Sequence, residues 1–448
     1  MTMHPDDEAG ARSADRREHP PGRRIVADRA RRRRVGRLAP AAAAALIAAC
    51  ATVSPASPRS PAPKPVSHVS AVYAVSFTPG TQRGWVTPVR TAAGRPGPVI
   101  KVGPGVGSIA FTPDGKTAYV AGIGTSKRGR GWVTPISTAT GTVGPTINTP
   151  DLVENIAVTP DGKTVYVIEQ PPGLLPFSGI TAQFSGVTAP ISDIAAPIST
   201  ATNTMGPSIR ARSKGAAAIA FTPDSRTAYV VIEATAPTVI PVSTATNTAG
   251  KPISVDEGAL SITITPDGKT AYVADTTSGV VTPISTAANT AGPAITVGED
   301  PIAIAITPDG KTAYVLNYSS GTVTPISTAT NTPGPAIRVG AAPTAIAITP
   351  DGKTAYVTSV IPYARGNKLQ GIVVPVSTAT GAVGKPIKIP GLPSAVVITP
   401  DGETAYVLDT LEFNHAERGA VIPINIAAGT AGTPVNLPGT PVTIAAAP

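Results

Sequence analysis

The sequence predicts an all-β chain folded as a β-propeller of eight four-stranded blades, and three observations carry that expectation. A Thr-Pro-Asp turn recurs at Pro113, Pro160, Pro223, Pro266, Pro308, Pro350 and Pro400, at spacings of 42 to 63 residues. Each interval breaks into short runs of Val, Ile, Ala, Thr and Tyr separated by Gly, Pro, Asn and Asp. That is a pattern of strands and tight turns, whereas a helical repeat of similar length would show a 3.6-residue period. Finally, Pro441 to Pro448 aligns with Pro301 to Pro308 and stops where the next turn would begin, while the first copy opens at its second strand. A terminal strand that completes the first blade joins the two ends and removes two exposed sheet edges.

Within the copy that begins at Pro301, Ile302 to Ile306 alternates Ile with Ala, a period of two that makes strand A. Pro308-Asp309-Gly310 follows as a turn, with φ preset by proline, the backbone bonded by aspartate and a positive φ taken by glycine. Ala313 to Leu316 reads as strand B, Thr322 to Ser327 as strand C and Ala336 to Val339 as strand D. In the first copy the corresponding strands are B at Val72 to Phe77, C at Trp85 to Val89 and D at Val99 to Val102. Strand C contains proline in every copy: Pro88, Pro135, Pro197, Pro241, Pro283, Pro325, Pro375 and Pro423. These eight prolines count eight blades. Proline cannot donate to a ladder and strand C is interior, so a bulge is expected there.

Tyr-Val-(Ala/Leu)-(Asp/Asn), preceded by Thr-Pro-Asp-Gly-Lys-Thr and followed by Ser-Thr-Ala-Thr-Asn-Thr, resembles the YVTN-type β-propeller repeat family, named for its Tyr-Val-Thr-Asn signature. That family includes the bacterial YncE-like proteins and overlaps with lactonase-like propellers. The resemblance spans roughly Val72 to Pro448 and implies a ring more often of seven blades, the alternative to the count of eight. Two features depart from the family pattern: the strand C proline, and serine where aspartate often precedes Thr-Ala-Thr.

Ahead of the repeats, residues 1–30 are polar and charged, without periodicity, and read as disorder or a misassigned start. Arg31 to Arg34 and Arg37 precede an apolar run from Leu38 to Ala49, and the only cysteine, Cys50, follows Leu46-Ile-Ala-Ala49. The run is short for a membrane span and has the order of an export signal. Its end resembles a lipoprotein lipobox, which implies lipid attachment at Cys50; an ordinary signal peptide or a retained anchor with an incidental cysteine is the alternative. The 31–50 segment is thus an expected signal, by the Sec or the Tat route. Residues 51–70 are rich in Pro, Ser and Ala and read as an extended tether for the 71–448 propeller. Residues 1–65 hold 13 of the basic and 6 of the acidic residues, and the remainder holds 23 and 21. The folded domain is close to neutral, which argues against nucleic acid as a partner.

Alternating strands sort the loops onto two faces. The A–B turns repeat almost unchanged, whereas the B–C loops vary: Gly122 to Gly131, Ile168 to Ile194, Thr358 to Gln370 and Leu408 to Gly419. Binding residues sit where a scaffold tolerates variation, so the B–C and D–A face is the candidate site. It also gathers most acids outside the turns, among them Glu154, Glu233, Asp256, Glu257, Glu299 and Asp300. Glu169, Asp275 and Asp409, with Asn317 equivalent, stand three residues after the strand B tyrosine. They read either as a polar ring for a cation or a hydroxyl-rich ligand or, the expected reading, as caps of the B–C hairpin. Tyr363, Arg365 and His415 bring an aromatic ring and charge to the same rim, and the insertion Gln170 to Ser192 forms a lid, a docking loop or a segment folded back on the ring.

The sequence has no Gly-x-Ser-x-Gly elbow, cysteine nucleophile, His-Glu-x-x-His set, paired-cysteine metal set or P-loop. Neither a catalytic residue nor a cofactor or metal is expected. The reading is an exported, lipid-anchored binding module, monomeric, held to the membrane by its lipid alone and facing an envelope protein or polysaccharide. A lactonase-like hydrolase of sugar lactones and a structural surface protein without a small ligand are the alternatives.

Overall fold

The computed structural model describes residues 71–78, 80–90, 95–124, 130–170, 192–213, 215–232, 236–362, 369–413 and 416–448. The expected extension, signal, Cys50 and tether lie outside the described residues, as does most of the 170–192 insertion. Among the described residues there are eight antiparallel sheets and no helix. Numbered from the sheet that holds Ala71, they are eight blades of a propeller. Blade 6 is representative: strand A is Pro301–Ile306, B is Thr312–Asn317, C is Thr322–Ser327, and D is split into Thr332–Pro333 and Ile337–Arg338. Strand A of each blade touches strand A of the next through every seam, so the A strands form a closed inner ring.

The ring closes as its repeats predict. Strand A of blade 1 is the C-terminal Thr440–Ala446, which pairs antiparallel with strand B, Ala71–Thr78; Val72 faces Ala446 and Ala74 faces Ile444. Beyond it the Ala447 N–H donates to the Ala71 carbonyl at 3.0 Å. Pro448 then lies against Gly115 of blade 2. In five other seams the turn glycine rests on the turn proline of the preceding blade, as Gly310 does on Pro266.

The bulge expected in strand C is not there. In all eight blades the proline lies directly opposite the strand B tyrosine, as in Tyr314↔Pro325, and the B–C register runs unbroken. The irregularity is in strand D. In blade 4, Val242 pairs with Ala249 and Val239 with Ile253, so three steps on C face four on D. The proline carbonyl accepts from a strand D glycine, for example Gly250 N–H to Pro241 at 2.7 Å. A strand residue points its N and its carbonyl to the same side, so the missing donor faces the outermost strand, where the ladder is already interrupted. The split also blunts each blade's outer edge.

The repeated side chains hold the blades together. In each Thr-Pro-Asp turn the threonine hydroxyl donates to the aspartate, which also accepts a backbone N–H two residues on, as in Thr307–Asp309–Lys311. Glycine or, in blade 4, Ser225 takes the positive φ. The strand B tyrosines are buried, and four donate across a seam to the C–D turn asparagine of the next blade. The pairs are Tyr119 to Asn203, Tyr166 to Asn247, Tyr229 to Asn289 and Tyr272 to Asn331, at 2.5–2.7 Å. Those asparagines have φ of 53–55°, the left-handed region that Asn and Gly tolerate. Where the next blade has glycine there instead, Gly141 or Gly381, the hydroxyls of Tyr73 and Tyr314 turn to the carbonyls of Thr138 and Thr378. Burial pushes the hydroxyls of Tyr166, Tyr229 and Tyr272 up to about 12, so they remain donors at any ordinary pH.

Candidate functional site: the B–C face

Backbone hydrogen bonds confirm how the loops sort. Thr328 N–H reaches the Lys311 carbonyl, tying a C–D turn to an A–B turn, and Tyr318 N–H reaches the Asp300 carbonyl, tying a B–C turn to a D–A connection. On the A–B face the turn aspartates pair with their own neighbours, Lys116, Lys163, Arg226, Lys269, Lys311 and Lys353, at 3.4–3.9 Å. These pairs are exposed and contribute little. Uniformity and self-pairing leave that face with little to distinguish a ligand.

The opposite face differs from blade to blade. In blades 4, 5 and 6 strand B is six residues long; in blade 7 it is nine, Thr354–Pro362, and in blade 8 ten, Thr404–Phe413. Their partners, Leu369–Ser377 and Ala416–Asn425, stay in register out to Pro362↔Leu369 and Phe413↔Ala416. The variable loops expected here are in these two blades mostly extra rungs of hairpin. Two adjacent ribbons therefore rise above the rim on one side of the ring. Tyr363, Arg365 and His415, like Glu233, lie outside the described residues.

Glu169, Asp275, Asn317 and Asp409 do occupy one equivalent slot, shared by Ser76, Gly122, Ile232 and Ser359 in the other blades. All four are 0% exposed. They are consequently not rim residues, because the slot lies in the wall between strands and beneath the connecting loops. Nor do their side chains cap the B–C hairpin. Asp275 Oδ2 accepts from the Thr282 hydroxyl of strand C at 2.7 Å, and the Asn317 amide donates to Thr322 and Thr324 at 3.1 and 2.9 Å. Asp409 Oδ2 accepts from Gly391 N–H on the D–A connection at 2.9 Å, and Glu169 Oε2 from the Ser208 hydroxyl at 3.5 Å. The slot braces strand C or the incoming connection. The hairpins themselves close through backbone bonds such as Gly321 N–H to the Asn317 carbonyl at 3.1 Å.

Burying a carboxylate disfavours its charged form. Burial pushes the Asp275 carboxyl up to about 7, with the Thr282 hydroxyl pulling the other way and the nearby Asp256 charge adding to the rise. Burial likewise pushes Asp409 up to about 6, against the lowering effect of the Gly391 N–H. One oxygen of each, Oδ1, takes no hydrogen bond. The residue the sequence reading overlooked is the strand C threonine, and a signal for it exists. Thr87, Thr134, Thr282 and Thr324 each stand immediately before the strand C proline, and all four are buried.

The fold has relatives among solved structures. A dihydro-heme d1 dehydrogenase, NirN, in complex with DHE matches with a TM-score of 0.64 at 16% identity, over 88% of this chain and 77% of that one. A protein provisionally described as a 6-phosphogluconolactonase, from Bacteroides uniformis ATCC 8492, matches with a TM-score of 0.52 at 13% identity, over 85% of this chain and 100% of that one. At such identities the likeness is one of fold. No family model matches the chain, and no curated protein does.

Proposed function

We propose that the chain is a YVTN-type propeller, exported and lipid-anchored through Cys50, that acts as a binding module for a protein or polysaccharide of the cell envelope. The observation that carries the binding role is the pair of long hairpins on blades 7 and 8, which gives one sector of the B–C face relief that the repeated A–B face lacks. Strand ribbons present backbone and alternating side chains to a partner while the ring stays rigid beneath them. The export segment and tether read from residues 31–70 would hold that face away from the membrane.

Hydrolysis of a sugar lactone, the activity suggested by family overlap and by the provisional name of one structural neighbour, draws less support. It needs a proton-transferring group in contact with substrate. Glu169, Asp275 and Asp409, the carboxylates the sequence singles out in the slot, are closed off from that face.

The test is co-sedimentation of the soluble Cys50→Ser chain with purified cell-wall sacculi and its crosslinking to envelope proteins. A variant with both ribbons shortened to the length of blade 6, residues 360–371 and 410–419 each replaced by a four-residue turn, is run in parallel, with a lactone hydrolysis screen beside both. Binding by the parent and a loss of at least tenfold in the trimmed variant is the expected result. Equal binding by both, or lactone turnover by the parent, would overturn the reading.

A further inference from the structure

At the entrance to blade 5 the chain brings two carboxylates to one hydroxyl. Thr282 Oγ1, buried on strand C (Val280–Ser285), is 2.7 Å from Asp275 Oδ2 and 3.4 Å from Asp256 Oδ2. Asp275 ends strand B (Thr270–Asp275) and has no exposed surface. Asp256 stands on the connection from blade 4 and is exposed at the B–C face. A threonine hydroxyl has one proton, so it satisfies one of the two carboxylates at a time. Asp275 Oδ1 meanwhile is buried without a hydrogen-bond partner. Two carboxylates so close repel unless something positive lies between them.

Blade 5 has an acid at both positions and blade 6 has one at neither, whereas blades 3 and 8 carry the slot acid alone. Counting back from strand A, blade 6 has Gly298 where blade 5 has Asp256, and it has Asn317 where blade 5 has Asp275. In that neutral version the Asn317 amide satisfies the strand C threonine Thr324 at 2.9 Å. Across the eight blades this D–A position carries an acid only in blade 5, and there the slot beneath it is an acid as well.

We propose that Asp275, Asp256 and Thr282 Oγ1 form a binding site for one divalent cation of the Ca²⁺ class. All three ligands are oxygens, the donor set of a hard cation, and the two carboxylates match a charge of two. Oxygens about 2.4 Å from a common centre and about 70–90° apart lie about 2.8–3.4 Å from one another. The 3.4 Å separation lies at the upper end of that range and the 2.7 Å one just below its lower end. Asp256 gives the ion a route from solvent, and the buried Asp275 Oδ1 supplies a further ligand. The bound ion would staple the connection between blades 4 and 5 onto strand C. This site stands independently of the envelope-binding role.

The experiment is calorimetric titration of the EDTA-treated, dialysed full chain with CaCl₂, together with its thermal midpoint with and without Ca²⁺. Weak Ca²⁺ modules bind at about 10⁻³ M, so titration to about 10 mM covers the range. One ion per chain is expected, with a raised midpoint, affinity at least tenfold weaker in Asp256→Asn, and no binding in Asp275→Asn. Asp409→Asn, a buried carboxylate in the same slot of blade 8, keeps full affinity. Asp256 is exposed, so its variant folds whatever happens to Asp275→Asn, and circular dichroism checks both. Absence of heat and of any midpoint shift at about 10 mM, or undiminished binding in Asp256→Asn, overturns the proposal.

Discussion

Replacing Asn331 tests how the repeat encodes the seams. Its side chain accepts the buried Tyr272 hydroxyl at 2.5 Å, and its backbone sits at φ 55°. Asn331→Ala removes the acceptor and leaves a β-carbon in the left-handed region. An unsatisfied buried hydroxyl costs about 1–3 kcal/mol, and alanine in that region adds about 1–2 kcal/mol, so a loss of about 2–5 kcal/mol is expected. Asn331→Gly removes the acceptor without the strain. Beside Gly141 and Gly381, moreover, the chain already reroutes Tyr73 and Tyr314 to a threonine carbonyl. Glycine should therefore cost no more than about 1 kcal/mol. Urea unfolding at constant m-value measures both variants. Tyr272→Phe in the alanine background removes the orphaned hydroxyl and should recover about 1–2 kcal/mol of coupling. Equal loss from alanine and glycine would refute the backbone argument, and strict additivity with Tyr272→Phe would refute the clasp.

Three further outcomes follow from the same reasoning. Asp409 has a folded-state carboxyl raised from 3.8 to about 6, so the folded chain binds its proton more tightly than the unfolded chain does. The stability this contributes is complete below the unfolded value near 4 and is lost as pH rises through 6. Asp409→Asn should flatten the urea midpoint between pH 4.5 and 8 by an amount on the order of 1–3 kcal/mol, and an unchanged slope would count against it. Removing residues 440–448 opens the ring and bares strand B of blade 1; light scattering should show self-association, and a well-behaved cooperative monomer would contradict the closure account. Ser225 holds φ 60°, and its hydroxyl accepts the Asp161 N–H of the preceding blade at 2.9 Å. Ser225→Ala loses that bond while keeping the strain and should cost about 1–2 kcal/mol, whereas Ser225→Gly should stay within about 1 kcal/mol of the parent.

Blade number, strand order and closure are all legible in the chain because the repeat writes its backbone constraints as residue types. Proline, aspartate and glycine mark the A–B turn, and asparagine or glycine marks the left-handed C–D position. The bulge was misplaced for a physical reason: a missing N–H says that a ladder is broken, but not on which of two strands the extra residue lies. The slot residues were located in sequence and misread in depth. Asp and Asn near a hairpin have turn propensity, and nothing local to Asp275 or Asp409 reveals that a D–A connection from the neighbouring blade folds over it. Burial there is set by residues 18 or 19 positions upstream, Gly391 over Asp409 and Asp256 over Asp275. Thr282 needed only a comparison across copies, since threonine recurs before the strand C proline.

What repeats in this chain is occupied with holding the ring. The turn threonine and aspartate bond each other and the backbone, and four of the strand B tyrosines are held by asparagines across the seam; the turn lysines add only exposed pairs with their own aspartates. Polar groups so engaged have little left to offer a ligand, and near-identical turns repeated around the ring would give no single point of recognition. Specificity must then reside where blades break the pattern. Strand B runs to nine and ten residues in blades 7 and 8, and the slot changes from serine to glycine, isoleucine, asparagine or acid around the ring. Blade 5 alone adds an acid above an acid. The departures cluster on the B–C face because the turns of the opposite face are tied into the seams, tyrosine to asparagine and turn glycine to turn proline, and cannot vary without loosening them.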